Sequence, residues 1–414
     1  MNILETCIRA RAASIELAKL KSEAKDRALR NMANALEAQA QSILAANKKD
    51  AETAKANGMK PAQLDRLALD KRKIETMARC IREVVELSDP VGEIIKTSIR
   101  PNGLIISQMR VPLGVVGIIY ESRPDVTSDA AAICLKSGNA VILRGGSDAI
   151  NSNLAIGEAL RNSLKGTGVP EDTIQVITST DRSVAEEFMQ MRGYVDVLIP
   201  RGGADLIRTV IEKAKVPVIE TGLGNCHIYV ETDADLEKAV PIIINAKCQR
   251  PGTCNAAEKL LVHSNIAEQF LPIAIAALRK EGVEVRGDEQ TVKIVPDATP
   301  AVEQDWYMEY SDLIIGVKVV KNLDEAIAHI NKYGTKHSDS ILTADFDKAL
   351  RFIREVDSAA VYWNASTRFT DGNQFGLGAE IGISTQKLHA RGPMSVQNLT
   401  TTKYFIFGSG QTRK

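Results

Sequence analysis

From position 111 onward, short apolar runs alternate with amphipathic stretches. Runs rich in Val and Ile occupy 114–119, 140–143, 174–177, 195–199 and 216–219. Between them, 128–136, 148–164, 182–192 and 204–213 carry apolar residues at helical spacing. Short apolar strands alternating with helices predict an open α/β fold with a parallel sheet. The alternation restarts in the second half, with helices expected over 233–247, 265–280, 326–331 and 346–355. Strands are expected there over 258–263, 340–343 and 359–363. A domain break is expected near Gly222–Asn225, where the glycines would allow a cleft with Glu220 on one lip and Cys254 on the other.

The first 90 residues have a different pattern. Leu29, Met32, Leu36, Ala40 and Ile43 step by three and four, as do Ile74, Met77, Ile81 and Val84, with charged residues on the opposite faces. They predict helices that pack on a later domain, and none of their polar residues converges on a recognisable site. Residues 95–112 hold Asn102-Gly103 between β-prone flanks, a strong hairpin signal. The end of the chain, Lys403-Tyr404-Phe405-Ile406-Phe407, reads as an apolar strand that needs cover.

Composition narrows the class. The chain has 414 residues, enough for two or three domains, with 44% hydrophobic and 25% charged residues, as in ordinary globular proteins. Lys+Arg and Asp+Glu stand at 52 each, which argues against a nucleic-acid partner. Six cysteines without CxxC or paired-histidine spacing point to reduced thiols, with neither a disulfide framework nor a metal site. The N-terminus is too charged for a signal peptide and no stretch suits a membrane span, so a cytoplasmic protein is expected.

Ligands of open α/β sheets bind beyond the carboxyl ends of the strands. Two such ends share a form: Arg144-Gly145-Gly146-Ser147-Asp148 and Arg201-Gly202-Gly203-Ala204-Asp205. Each sets a cation and glycines before a helix start, which favours a phosphate-bearing ligand over a plain turn. No G-x-G-x-x-G fingerprint is present. Arg144 stands where many NAD sites place an acidic residue for the ribose hydroxyls, and it suits a 2′-phosphate, so NADPH is the expected cofactor. Cys254, in Gln249-Arg250-Pro251-Gly252-Thr253-Cys254-Asn255, follows a Pro-Gly turn among polar neighbours, as a presented nucleophile would. Cys226 sits beside His227, but neighbours on a strand face opposite sides, so the two would not meet. Cys248 lies in a helical run that suggests burial. His329 reads as structural, whereas His337 follows a Gly-Thr-Lys loop and stays a candidate acid or base.

These motifs resemble the aldehyde dehydrogenase superfamily over most of the chain. Pro112-Leu113-Gly114-Val115-Val116-Gly117-Ile118-Ile119 resembles its first cofactor-domain strand, Glu220-Thr221-Gly222 its Glu-Leu-Gly element, and Cys254 falls at its nucleophile. Tyr120-Glu121-Ser122-Arg123-Pro124-Asp125, Tyr333-Gly334-Thr335-Lys336-His337-Ser338, Asn364-Ala365-Ser366-Thr367-Arg368 and His389-Ala390-Arg391-Gly392-Pro393 resemble a branch that reduces an acyl phosphate of glutamate. The resemblance implies two open Rossmann-like parallel-sheet domains plus a small β oligomerisation element. Residues 1–94 and 113–224 would bind cofactor, 225–394 would hold the catalytic domain, and 95–112 with 395–414 would pair subunits.

It further implies NADPH-dependent reduction of L-glutamate 5-phosphate to L-glutamate 5-semialdehyde in proline biosynthesis, through a thioacyl group on Cys254. A nearby helix N-terminus or a cation such as Arg250 would activate the sulfur. Glu220 would serve either as a proton shuttle or as a hydrogen-bonded structural residue, and both readings stand. Arg144, Gly145, Gly146, Ser147, Arg201, Gly202, Gly203 and Gly222 would line the cofactor. The substrate's two anionic groups call for Arg123, Arg250, Arg368 and Arg391, with Asn364, Ser366 and Asp371 at its amino-acid end. Ser122 replaces the usual oxyanion asparagine. A homo-oligomer is implied, as is contact with the kinase that makes the acyl phosphate. Water-dependent aldehyde oxidation, an inactive binding relative and a cysteine hydrolase remain alternatives.

Overall fold

A computed structural model describes residues 2–413. The chain forms two compact units: one runs to Thr221 and adds Gly376–Gly382 and the segment from Met394, the other comprises Gly222–Phe375 and Ile383–Pro393.

The first unit opens with helices α1 (Ile3–Leu17), α2 (Ser22–Ala38), α3 (Ala40–Ala56), α4 (Pro61–Leu67) and α5 (Lys71–Glu86). The periodic residues Leu29, Met32, Leu36, Ile74, Met77, Ile81 and Val84 are all buried. A hairpin follows, β1 (Ile94–Ile99) and β2 (Ile105–Pro112), with Ile99 opposite Ile105. Gly103 takes the positive φ of +84° that its turn requires. The last strand, Thr400–Phe407, pairs antiparallel with β2 and completes a three-stranded sheet. Ile99, Tyr404, Ile406 and Phe407 are exposed on it.

Next come β3 (Val115–Tyr120), β4 (Ala140–Gly145), β5 (Ile174–Val176) and β6 (Val197–Arg201), a parallel sheet in the order β5-β4-β3-β6. Helices α6 (Asp125–Lys136), α7 (Ile150–Ser163), α8 (Arg182–Met189) and α9 (Ala204–Lys213) alternate with the strands. The run at 216–219, expected as a fifth strand, makes only an isolated bridge between Val218 and Leu198. Pro217 at its centre has no N–H to offer a ladder.

Among the polar residues of the N-terminal helices, Asp50 has a structural task. Its buried carboxylate accepts the Asn151 and Ser152 backbone N–H groups at 3.2 and 2.7 Å, the Asn151 amide at 2.7 Å and the Ser152 hydroxyl at 2.6 Å. A residue of α3 therefore caps the start of α7. Buried Lys25 likewise ties α2 to Asp89 at 2.5 Å and to the Lys136 carbonyl at 3.0 Å. Burial lowers its pKa, and the Asp89 carboxylate opposes that shift.

The second unit is built on seven strands: β7 (Cys226–Val230), β8 (Ala257–His263), β9 (Glu284–Gly287), β10 (Thr299–Pro300), β11 (Ile314–Val320), β12 (Ser338–Leu342) and β13 (Ala360–Trp363). They lie parallel in the order β10-β9-β11-β8-β7-β12-β13. Its helices are α10 (Leu236–Cys248), α11 (Ser264–Lys280), α12 (Glu289–Ile294), α13 (Glu303–Tyr307), α14 (Leu323–Tyr333) and α15 (Phe346–Glu355). Leu260, Val262, Ile315, Val317, Phe270 and Leu278 form one packed core, each contributing about 1.5–3 kcal/mol by burial. Charged residues are also enclosed: Lys247 meets Glu258 at 3.1 Å, both fully buried. Lys259 reaches Asn225 Oδ1 and the Met308 carbonyl at 2.7 Å each, tying β8 to the start of β7.

Candidate active site

Cys254 occupies a stretch of turns between the end of α10 at Cys248 and the start of β8 at Ala257. The loop thus follows a helix C-terminus and leads into a strand. It lies at the amino ends of β7 and β8, opposite to the carboxyl-end rule that located the first unit's strand ends.

Several contacts fix the loop. Thr253 N–H and Oγ1 both donate to the Arg250 carbonyl, at 3.2 and 2.8 Å, and Ala256 N–H donates to the Thr253 carbonyl at 2.9 Å. Asn255, 4% exposed, is the tether. Its Nδ2 donates to the Thr370 carbonyl at 2.9 Å, and its Oδ1 accepts from Thr253 Oγ1 at 2.9 Å and from Arg368 Nη1. Its own carbonyl accepts from Thr367 Oγ1 at 2.7 Å. Gly224 lies so close that a side-chain carbon there would coincide with the Cys254 main chain. Asn255 and Gly224 are the residues that sequence reasoning missed. The available signals were the Asn directly after the cysteine and the second glycine of Gly222-Leu223-Gly224.

Two guanidiniums accompany the sulfur. Arg368 is half-buried, with Nε donating to Gln249 Oε1 at 2.8 Å, and its pKa is lowered by burial and then by Arg250. Its electrostatic neighbours include Cys254, Cys226 and Asp371. Arg368 thereby sets positive charge near Cys254, and exposed Arg250 adds a second charge near Arg368.

The other substrate candidates in this unit make local contacts. Asn364, at φ +54°, accepts from Thr343 N–H at 3.0 Å and donates to the Thr343 carbonyl at 2.8 Å. Ser366 accepts the Arg368 N–H at 3.3 Å, and Asp371 accepts the Asn373 and Gln374 N–H groups. Arg391 pairs with Asp357 at 2.8 Å, its Nε buried without a hydrogen-bond partner. Lys387, Arg391 and Lys336 together hold the Asp357 carboxyl well below its ordinary range.

In the first unit, Arg144 is half-buried, donates through Nη2 to the Thr180 carbonyl at 3.0 Å, and keeps a buried Nε without a partner. Burial and nearby Arg182 lower its pKa. Gly145 is required by Asn153 and Tyr120, which a side chain would strike. Gly146 faces Asp148 and Ser147 is exposed. Gly203 N–H donates to Glu121 Oε2 at 3.0 Å, so an internal carboxylate meets the start of α9, and Gly202 presses on that same carboxylate. Arg201 lies 3.8 Å from Glu380. Ser122, at φ +43°, donates to Asp148. Arg123 is 3.5 Å from Asp125. Glu220 is half-buried after Ile219. Gly222, in the second unit, donates to the Ile383 carbonyl at 3.0 Å and abuts Thr385.

Cys226 and His227 take different partners. Cys226 Sγ donates to the Cys254 carbonyl at 3.2 Å and lies 3.9 Å from His337 Nδ1, while His227 Nδ1 is 3.2 Å from Asp339. Cys248 is half-buried at the end of α10, less enclosed than its helical setting suggests. His329 is buried against Trp306, Tyr333 and His227, and burial drives its pKa down to about 2, as fits a structural role. Among the described residues no helix is long and apolar enough to cross a membrane.

The model of the aldehyde dehydrogenase family matches residues 2–305. The chain is 59% identical to a γ-glutamyl phosphate reductase from Carboxydothermus hydrogenoformans, over 99% of each chain. It is 58% identical to one from Clostridium perfringens, over 98% of each. A crystal structure of the Thermotoga maritima γ-glutamyl phosphate reductase superposes with a TM-score of 0.97 at 54% identity, covering 100% of both chains.

Proposed function

Because the chain belongs to the aldehyde dehydrogenase family, and within it to the γ-glutamyl phosphate reductases, we propose that it reduces L-glutamate 5-phosphate to L-glutamate 5-semialdehyde through a thioester on Cys254. The observation that carries this reading is the Cys254 loop, pinned by Asn255 and Gly224, with Arg368 near the sulfur and Arg250 near Arg368. Sulfur is nucleophilic and also a competent leaving group, which suits both halves of an acyl transfer. Cys254 attacks the γ-carbonyl carbon, the C–O bond to phosphate breaks, and the two guanidiniums meet the charge on the departing phosphate. NADPH, when bound, would supply the hydride that brings the thioacyl carbon to the aldehyde level. Collapse of the resulting hemithioacetal returns the Cys254 sulfur and releases the semialdehyde.

The first unit fits the cofactor through Arg144, whose buried, partnerless Nε and positive charge suit a 2′-phosphate. Gly145, Gly146, Ser147, Arg201, Gly202 and Gly203 would complete its binding in that unit. Hydrolysing the Cys254 thioester would waste substrate, so the proposed reaction does not call on Glu220 to activate water. The exposed apolar residues Ile99, Tyr404, Ile406 and Phe407 support pairing with a second copy of the chain. A cytoplasmic setting and contact with the kinase that supplies the acyl phosphate complete the proposal. NADP⁺ reduction by the semialdehyde should require inorganic phosphate; sustained reduction without phosphate would favour the water-dependent alternative.

A further inference from the structure

The Cys226 thiol has no part in that mechanism, yet it is fully buried against the peptide of the nucleophile. It donates to the Cys254 carbonyl at 3.2 Å and lies 3.9 Å from His337 Nδ1. That nitrogen is 2.8 Å from Ser338 Oγ, which is in turn 2.7 Å from Thr370 Oγ1. Thr370 also holds Asn255 through its carbonyl, so one polar chain joins Cys226 to the tether of the Cys254 loop. Burial, and then the Asp339 charge, pushes the Cys226 thiol well above its ordinary range, leaving it protonated and inert at rest. Cys254 is only half-buried, so an oxidant arriving from solvent meets it first.

We infer that Cys226 is a resolving thiol for Cys254: after a hydroperoxide oxidises the nucleophile, Cys226 joins it in a disulfide that shields it from irreversible oxidation. In the first step Cys254 sulfur gives two electrons to the peroxide. The O–O bond breaks, one oxygen becomes the sulfenic hydroxyl, and the other leaves as water or alcohol. In the second step Cys226 sulfur attacks Cys254 sulfur. The S–S bond forms, the S–O bond breaks, and the hydroxyl leaves as water with the proton that Cys226 gives up. His337 Nδ1 is the imidazole nitrogen placed to relay that proton. A disulfide sets its Cα atoms roughly 4.4 to 6.8 Å apart. Cys226 Sγ already touches the Cys254 peptide, and the remaining movement falls on a loop of turns without a strand ladder.

The inference rests on Cys254 being the reactive thiol. Peptide mapping of the full-length protein without reductant, after hydrogen peroxide treatment, tests it. Wild type should yield a Cys226–Cys254 linked peptide two hydrogens lighter than the two thiol peptides together. Its lost activity should return with a thiol reductant. Cys226→Ala should instead accumulate Cys254 sulfinic acid, which the reductant does not reverse. Wild type bearing Cys254 sulfinic acid and no linked peptide would overturn the inference while leaving the nucleophile reading intact. Cys254 untouched by peroxide would overturn both.

Discussion

Asn255→Ala tests the tether most sharply. The substitution deletes the hydrogen bond to the Thr370 carbonyl at 2.9 Å, the one from Thr253 Oγ1 at 2.9 Å, and the charge-assisted one from Arg368. The Thr253 hydroxyl keeps the Arg250 carbonyl and Arg368 keeps Gln249, so two of the three partners retain a second bond. The Thr370 carbonyl is left unmet in a buried setting, at about 1–3 kcal/mol, and the charged bond adds about 1.5–3 kcal/mol. Because these bonds share one network, the total should be less than their sum, about 3 kcal/mol. That loss is small beside the core of the unit, so the protein should remain folded while its loop drifts. A displacement of about 1 Å at a nucleophile costs on the order of 100-fold in rate. The expected result is a fall of about 100-fold in kcat with a smaller change in KM, because Arg250 still offers charge to the phosphate. Steady-state kinetics alongside urea unfolding reads both quantities. Unchanged kcat in a variant that has lost the expected stability would refute the tether.

Gly224→Ala should be more severe, since its new carbon coincides with the Cys254 main chain; slowed alkylation of Cys254 by iodoacetamide is the readout. Asp50→Ala removes the acceptor for the donors at the start of α7 and should lower unfolding stability by about 2 kcal/mol in urea titration. Asp357, whose folded pKa is depressed by Lys387, Arg391 and Lys336, stabilises the protein above its unfolded value of about 4. That contribution should disappear as pH falls from about 4 toward the lower folded value, so Asp357→Asn should flatten this part of the acid unfolding curve.

The parts of the fold that were legible are those whose burial is continuous along the chain. β3 and β4 are covered on both faces, so they read as apolar runs. The segment at 216–219 has the same composition but fails as a strand because Pro217 interrupts the donors, a backbone matter that apolarity does not report. The central strand β11 lies between 280 and 326, a stretch to which the reading assigns nothing although Ile314–Val320 is rich in β-branched residues. Cys254 was visible as an isolated thiol in a polar turn. Its supports were not, because Asn255 meets Thr370 and Cys226 meets His337 across 115 and 111 residues. Asp50 escaped notice for the same reason, since its partners sit 101 and 102 residues away in α7. Side chains that act over such separations leave no local periodicity to read.

The central claim is that Cys254 carries the acyl group between phosphate and hydride chemistry. The protein is incubated with L-glutamate 5-semialdehyde and NADP⁺ in the absence of phosphate, and its intact mass and peptide map are recorded. The account predicts one γ-glutamyl group per chain, located on Cys254 and discharged when inorganic phosphate is added. Continued NADP⁺ reduction with free glutamate released, or an acyl group on any other residue, would contradict it.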